Sequence, residues 1–181
     1  GFKKKASEKW SWLFLLVLAL AALSYANSLQ NQYVFDDLHL VAANPQIASA
    51  DDIPRFLFLG KIAKYYRPLR TISYKLDYTL NKKFWYRFAN RQWTDPGLVP
   101  VGYHIANIFY HLLTAVLVYL VTSRLSSSAR VAFIAAGLFV LHPVHTDSVT
   151  YISGRRDILF TLFYLAGFYC FLCYRQLQKR R

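Results

Sequence analysis

Acidic residues are scarce in this chain: nine among 181, against 22 Lys and Arg, for a formal net charge of +13. Methionine is absent, and cysteine occurs only at positions 170 and 173. Two cysteines build no disulfide framework, and their CxxC spacing falls inside an apolar helical stretch rather than in a redox or zinc loop. We read Cys170 and Cys173 as small packing residues, with acylation near a membrane surface as the second reading. A chain that opens at Gly1 and lacks Met reads as a portion or processed product of something longer. The basic excess does not point to nucleic acid as a partner, because the terminal Lys/Arg clusters flank apolar spans instead of gathering on a folded polar face. Repeats and low-complexity tracts are also missing.

What the chain has is apolar surface. It is 55% hydrophobic and 18% aromatic, with a positive mean hydropathy, which predicts an all-α integral membrane protein. Four transmembrane spans are readable, at 10–29, 105–122, 131–146 and 158–174. The first is an uncharged 20-residue run from Trp10 to Leu29, long enough to cross a hydrocarbon core at about 1.5 Å per residue. Lys3, Lys4 and Lys5 before it would also suit a signal sequence, but its length and the lack of a small-residue cleavage pattern favour a retained anchor. In the third span His142-Pro143 interrupts the run, and proline disfavours helical geometry in the residue before it, so the helix should end there.

Lys and Arg near the span ends set the orientation. Ten of them fall in the tails 1–9 and 175–181 and around the loop 123–130, which predicts that both termini and that loop are cytoplasmic. The segments 30–104 and 147–157 then face the lumen or periplasm, in an endoplasmic reticulum or bacterial inner membrane. The 75-residue outer segment is too long and apolar for a plain linker. Ser49 to Pro54 reads as a helix start with a stop at Gly60. A second helix starts at Pro68, where Leu69, Ile72, Leu76 and Leu80 recur at helical spacing while Arg70, Lys75 and Asp77 take other faces, as in an amphipathic helix lying along the interface. Phe84, Trp85, Tyr86, Phe88 and Trp93 suit the same headgroup depth.

Within the outer segments several groups have chemical potential. Asp36 and Asp37 are adjacent carboxylates just beyond the first span, with His39 close behind. Two acids in a partly desolvated site repel, raising the pKa of one, and such a pair suits a general base or a metal ligand. Asp36 is the better base and Asp37 the orienter or ligand; a solvated turn or helix cap is the alternative for both. His142, His145 and Asp147 form a second cluster, able to take a divalent cation although no definite ligand spacing is present. Arg155 and Arg156 follow; a guanidinium pairs bidentately with phosphate oxygens, so either suits a lipid-linked phosphate, with headgroup snorkelling as the alternative. Arg67, just before the second outer helix, is another anion contact. His104, Asn107 and His111 share one helix face, where hydrogen bonding between helices competes with substrate binding. The mid-span positions carry no acid, and His111 is their only titratable base, which argues against a transporter element.

In this order, Phe35-Asp36-Asp37, Tyr66-Arg67-Pro68-Leu69, Tyr103-His104-Ile-Ala-Asn107, His142-Pro143-Val-His145-Thr-Asp147 and Gly154-Arg155-Arg156-Asp157 resemble the membrane part of GT-C glycosyltransferases. The resemblance is to the transmembrane O-mannosyltransferases with tetratricopeptide repeats and, more distantly, to the protein O-mannosyltransferases. It implies that the first outer loop supplies the catalytic acid, here Asp36 or Asp37 with Asp147, and that the donor is a polyprenyl-phosphate sugar. The acceptor would be a protein hydroxyl on the outer face, with Arg67, Arg155, Arg156, His104, Asn107 and His39 as donor or substrate contacts. No cofactor is required, although a divalent cation is compatible. Asp147 stands where the family pattern commonly has Glu, keeping the charge with a shorter reach. Family members have roughly a dozen spans, so this chain corresponds to an N-terminal portion, or else its cavity is completed by partner membrane chains or self-association. The rival reading is a non-catalytic membrane scaffold in which the same acids and arginines form structural ion pairs.

Overall fold

The computed structural model describes residues 2–48, 67–84 and 94–179. The helix expected over 49–60 and the aromatics at 85–93 lie outside them. Five long helices organise the described residues: α1 (Phe2–Ser24), α2 (Pro68–Lys83), α3 (Pro100–Ser126), α4 (Ala129–Leu141) and α5 (Arg155–Gln178). α2 and α3 each open on a proline, whose fixed φ suits the first helical position and whose missing N–H is no loss there. Ser128 caps α4 by accepting the Val131 amide at 3.4 Å.

This is a multi-pass membrane protein. Trp12–Gln30, Pro100–Ser126 and Ile152–Gln178 are long and apolar enough to cross a membrane, and α4 with the following Pro143–Thr150 forms an apolar pair bent by 46°, either a broken fourth span or a re-entrant loop. α3 starts five residues before the 105 expected from sequence, because the polar residues of its first turns are satisfied by protein rather than by water. The bend falls at His142-Pro143, where the helix was expected to end. Val144 donates its amide to His142 Nδ1 at 3.1 Å, so the Val140 carbonyl lacks its usual helical partner, and His111 Nε2 donates to it instead at 3.2 Å. A broken helix at membrane depth is tolerated when its loose backbone groups are satisfied in this way.

α3 is the central element, with α1, α4 and α5 packed on it. Ala21 of α1, Ala115 of α3 and Ala136 of α4 meet in one core with Phe14 and Val140; small side chains let helices approach closely where lipid supplies no hydrophobic drive. Leu15, Leu16 and Leu20 of α1 and Phe160, Phe163 and Phe171 of α5 point outward, as lipid-facing surfaces do. Cys170 and Cys173 sit on α5, the first exposed and the second half-buried.

The end of the bundle away from both termini has a different core, built from tyrosines. Tyr33, Tyr74, Tyr78 and Tyr103 pack with Val41, Ile47 and Ile152. Every one of those hydroxyls donates: Tyr33 to the Leu98 carbonyl (3.0 Å), Tyr74 to that of Ile152 (3.0 Å), Tyr103 to that of Gly97 (3.1 Å) and Tyr78 to Asp95 Oδ2 (2.9 Å). A buried tyrosine keeps its apolar contribution only when its hydroxyl finds such a partner. α2 carries the amphipathic pattern in a distinctive sense. Leu69, Leu76 and Leu80 are exposed, whereas Ser73, Asp77 and Asn81 are buried against the protein. Its apolar face is thus free to meet lipid, and its polar face is part of the core.

Candidate functional site

The segment after α1 runs extended through residues 31–34 and then turns sharply. Phe35 takes φ 46°, a left-handed conformation that costs a bulky L-residue free energy and persists only where surroundings impose it. That turn separates the two acids. Asp37 is buried at 1% exposure, its Oδ1 accepting the Ser153 amide at 2.8 Å and its Oδ2 the Val34 amide at 3.3 Å. Burial pushes the Asp37 carboxyl above the ordinary carboxylate value, against the pull of its hydrogen bonds to Ser153 and Val34. The shift expected from mutual repulsion of the pair thus has another cause, and Asp37 has no face left for a substrate or cation. Asp36 is exposed, and its backbone amide donates to the Tyr151 hydroxyl at 3.1 Å.

Asp36 lines an open cleft of about 510 Å³ together with Asn31, Gln32, Val34, Phe35, Asp147, Thr150 and Tyr151. The fold therefore brings Asp36 and Asp147 into one cavity from two segments far apart in sequence. Phe35, 84% exposed, and Val34 give it an apolar rim. Asp147 begins a short helical turn, Thr146–Thr150, and its carbonyl accepts the Tyr151 amide.

Beneath the cleft lies a closed polar knot centred on Arg155, which is fully buried. Its Nε donates to Asn107 Oδ1 at 2.7 Å, Nη2 to the Tyr103 carbonyl at 2.8 Å, and Nη1 to Ser73 at 3.3 Å and to the Asp77 carboxylate. The guanidinium also stacks 4.6 Å from the Tyr74 ring. Asn107 Nδ2 returns to the Tyr151 carbonyl at 3.0 Å. Burial raises the Asp77 carboxyl above the ordinary carboxylate value, against the attraction of Arg155 and its hydrogen bond.

Several residues expected as substrate contacts lie inside the protein. Arg155, expected as a phosphate contact, is enclosed by protein and its guanidinium donates to Asn107, Tyr103, Ser73 and Asp77. Asn107 bridges Arg155 and the 149–152 backbone, and His104 holds the Asn31 carbonyl at 3.3 Å, both from buried positions. All three are buried and bonded within the protein. His39 is exposed on a wide turn, Leu38–Ala42, and is not among the cleft residues. His142 spends Nδ1 on the Val144 amide, and His145 packs against Phe139 with ring centroids 4.5 Å apart. Among the described residues no group of three or more His, Cys, Asp or Glu is arranged to hold a metal ion, so His142, His145 and Asp147 do not converge on one.

The outward cations are different residues. Arg156 is exposed and pairs with Asp157 at 2.8 Å, both side chains more than half exposed. Arg70, which sequence reading placed on α2 without a role, has its Nε buried and unpartnered. Burial, with the positive charges of Arg67 and Arg156, lowers the Arg70 guanidinium from its ordinary value, while Tyr74 and Asp36 oppose the shift. Arg156 also feels the charge of Asp36. Arg70 thus feels the charges of Arg67 and Arg156, and both Arg70 and Arg156 feel that of Asp36, although none of the three is among the residues that line the cleft. Arg67 is the residue before α2 and Arg70 stands in its first turn; their closeness in sequence was the available signal.

Comparison with known proteins follows the same residues. The family model described as dolichyl-phosphate-mannose-protein mannosyltransferase matches residues 66–181. The mouse protein named Protein O-mannosyl-transferase TMTC3 is 31% identical over 162 residues, covering 84% of this chain and 16% of its own length. Protein O-mannosyl-transferase F38B6.6 of Caenorhabditis elegans is 29% identical over 177 residues, covering 91% and 24%. Human Protein O-mannosyl-transferase TMTC4 is 31% identical over 183 residues, covering 88% and 23%. The chain spans about a quarter or less of the length of these curated relatives. No solved structure matches.

Proposed function

This chain belongs to the dolichyl-phosphate-mannose-protein mannosyltransferase family, and on that premise we propose that it is the part of a membrane glycosyltransferase that carries its catalytic acid. The reaction moves a mannosyl group from a polyprenyl-phosphate carrier to a Ser or Thr hydroxyl of an acceptor protein, at the cleft between residues 31–36 and 147–151. The observation that carries this reading is the placement of Asp36, exposed in a cleft beside Asp147 and within the field of Arg70 and Arg156.

The step is a direct displacement. Asp36 takes the proton of the acceptor hydroxyl as its oxygen bonds to the anomeric carbon. The bond from that carbon to the phosphate oxygen breaks, and its electron pair leaves with the lipid phosphate. Arg70 and Arg156, with Arg67 alongside, stabilise that charge as preorganised donors. Because phosphate is already a good leaving group, the step needs no metal, and a divalent cation would add only further charge neutralisation. The excess of Lys and Arg at the opposite ends of the spans supports a cleft on the luminal or periplasmic side.

The test is transfer of labelled mannose to protein in membranes containing the chain in its native polypeptide context. Label from a polyprenyl-phosphate donor, and none from a nucleotide sugar in washed membranes, is the expected result. Equal labelling from a nucleotide sugar with no lipid intermediate would refute the donor class. No labelling from either donor would favour the scaffold reading, in which Arg155–Asp77 and Asp37 hold the fold and nothing reacts.

A further inference from the structure

Tyr151 ties both cleft acids together. Its hydroxyl accepts the Asp36 amide at 3.1 Å, across 115 positions of sequence. Its own amide donates to the Asp147 carbonyl at 3.3 Å, and its carbonyl accepts from Asn107 Nδ2 at 3.0 Å. Asn107 is in turn fixed by Arg155 Nε at 2.7 Å, and Arg155 by Asp77. A chain of hydrogen bonds thus runs from the enclosed ion pair through the Tyr151 backbone and side chain to the peptide that carries Asp36.

That peptide needs outside support. Phe35, immediately before it, holds a left-handed φ of 46° that a bulky side chain does not adopt unaided. Asp37 secures the far side of the turn through Ser153 and Val34. The near side is secured by the Tyr151 hydroxyl. We infer that Tyr151 is a positioning residue for Asp36, holding the strained Phe35-Asp36 peptide so that the carboxylate faces the cleft. The inference rests on the reading of Asp36 as the base.

The hydroxyl that receives the Asp36 amide keeps its own proton for another direction, and the residue lines the cleft. Removing one oxygen therefore releases the Asp36 peptide without emptying the ring's space. A general base is effective only near its productive geometry, and a displacement of about 1 Å costs on the order of a hundredfold in rate.

The experiment compares wild type and Tyr151→Phe in the full chain, measuring mannosyl transfer and hydrogen exchange together. The expected result is a kcat lower by roughly tenfold to a hundredfold, with donor KM changed by less than about twofold. Exchange should rise in peptides over 33–37 and stay unchanged in α3 and α5. A kcat within about twofold of wild type, or a loss confined to KM, would overturn the inference. Exchange raised throughout α3 and α5 would make Tyr151 a folding residue and overturn it equally. Turnover surviving Asp36→Asn would instead sink the base reading. An inactive Asp36→Asn beside a wild-type Tyr151→Phe would sink this inference alone.

Discussion

Asp37 accepts the Ser153 amide at 2.8 Å from a buried position, while its neighbour Asp36 stands exposed in the cleft that Asp147 also lines. One turn at Phe35 divides an acid pair into a buried clamp and an exposed carboxylate in the cleft. Asp37→Asn should therefore lower stability, because its amide nitrogen would face the Val34 N–H, donor against donor, at a cost of about 1–3 kcal/mol. Thermal unfolding of the detergent-solubilised protein measures this, and a midpoint unchanged from wild type would deny the clamp.

The same residue sets a pH dependence. Burial raises the folded-state value of Asp37 above the unfolded one, so its stabilisation is fully present below the unfolded value, about 3.9, and is lost as pH rises through the folded value. Asp37→Asn should flatten the fall in unfolding midpoint across that window. An unaltered slope would assign the dependence to another group.

Arg155 and Asp77 lie 78 positions apart and form a closed pair whose removal on one side leaves an uncompensated buried charge. Arg155→Ala should cost about 3–5 kcal/mol, and Arg155→Ala with Asp77→Ala less than the sum of the two single changes. Arg155→Lys should not restore stability, because an ammonium cannot reproduce four donations in one plane. Additive losses in a double-mutant cycle of unfolding free energies would contradict the coupling.

Gly154 sits where a side chain has no room: an added Cβ would lie 2.6 Å from the Ser148 carbonyl oxygen and 2.8 Å from its Cα. Both are backbone atoms, so Gly154→Ala must shift the 151–154 turn, costing about 1–3 kcal/mol and moving the Tyr151 and Ser153 contacts with the acids. Reduced stability together with reduced transfer is expected; wild-type stability would show that the turn yields without strain.

Arg70→Ala should raise the donor KM with folding intact, as removal of an anion contact does. Arg156→Ala should do the same while changing stability by no more than about 0.5 kcal/mol, since its pair with Asp157 is exposed. Donor titrations measure both, and unchanged KM in the two variants would remove this basic group from the donor site.

Much of the fold was legible in sequence, because uncharged runs and the proline at 143 report directly on spans and breaks. The acid motif was legible for a similar reason: Asp36 and Asp37 stand close after the first span. Which of them faces outward was not, because it depends on a left-handed Phe35 and on Ser153, far along the chain. Arg155 and Arg156 look equivalent in sequence, yet one is enclosed and the other exposed, a difference created by Asp77 and Asn107 on other helices. The leucine spacing of α2 gave an amphipathic helix correctly, but not that Ser73, Asp77 and Asn81 opposite those leucines form core. Arg70 was passed over because closeness to Arg67 in sequence says nothing of the cleft beyond it.

The measurement that bears most directly on the account is mannosyl transfer by Asp36→Asn in the full chain, with unfolding followed in parallel. The side chain is exposed, and the contact to Tyr151 is made by its backbone amide, so folding should be unchanged while transfer is abolished. Transfer at the wild-type rate by a stably folded Asp36→Asn protein would contradict the assignment of the base and, with it, the reading of the cleft as the catalytic site.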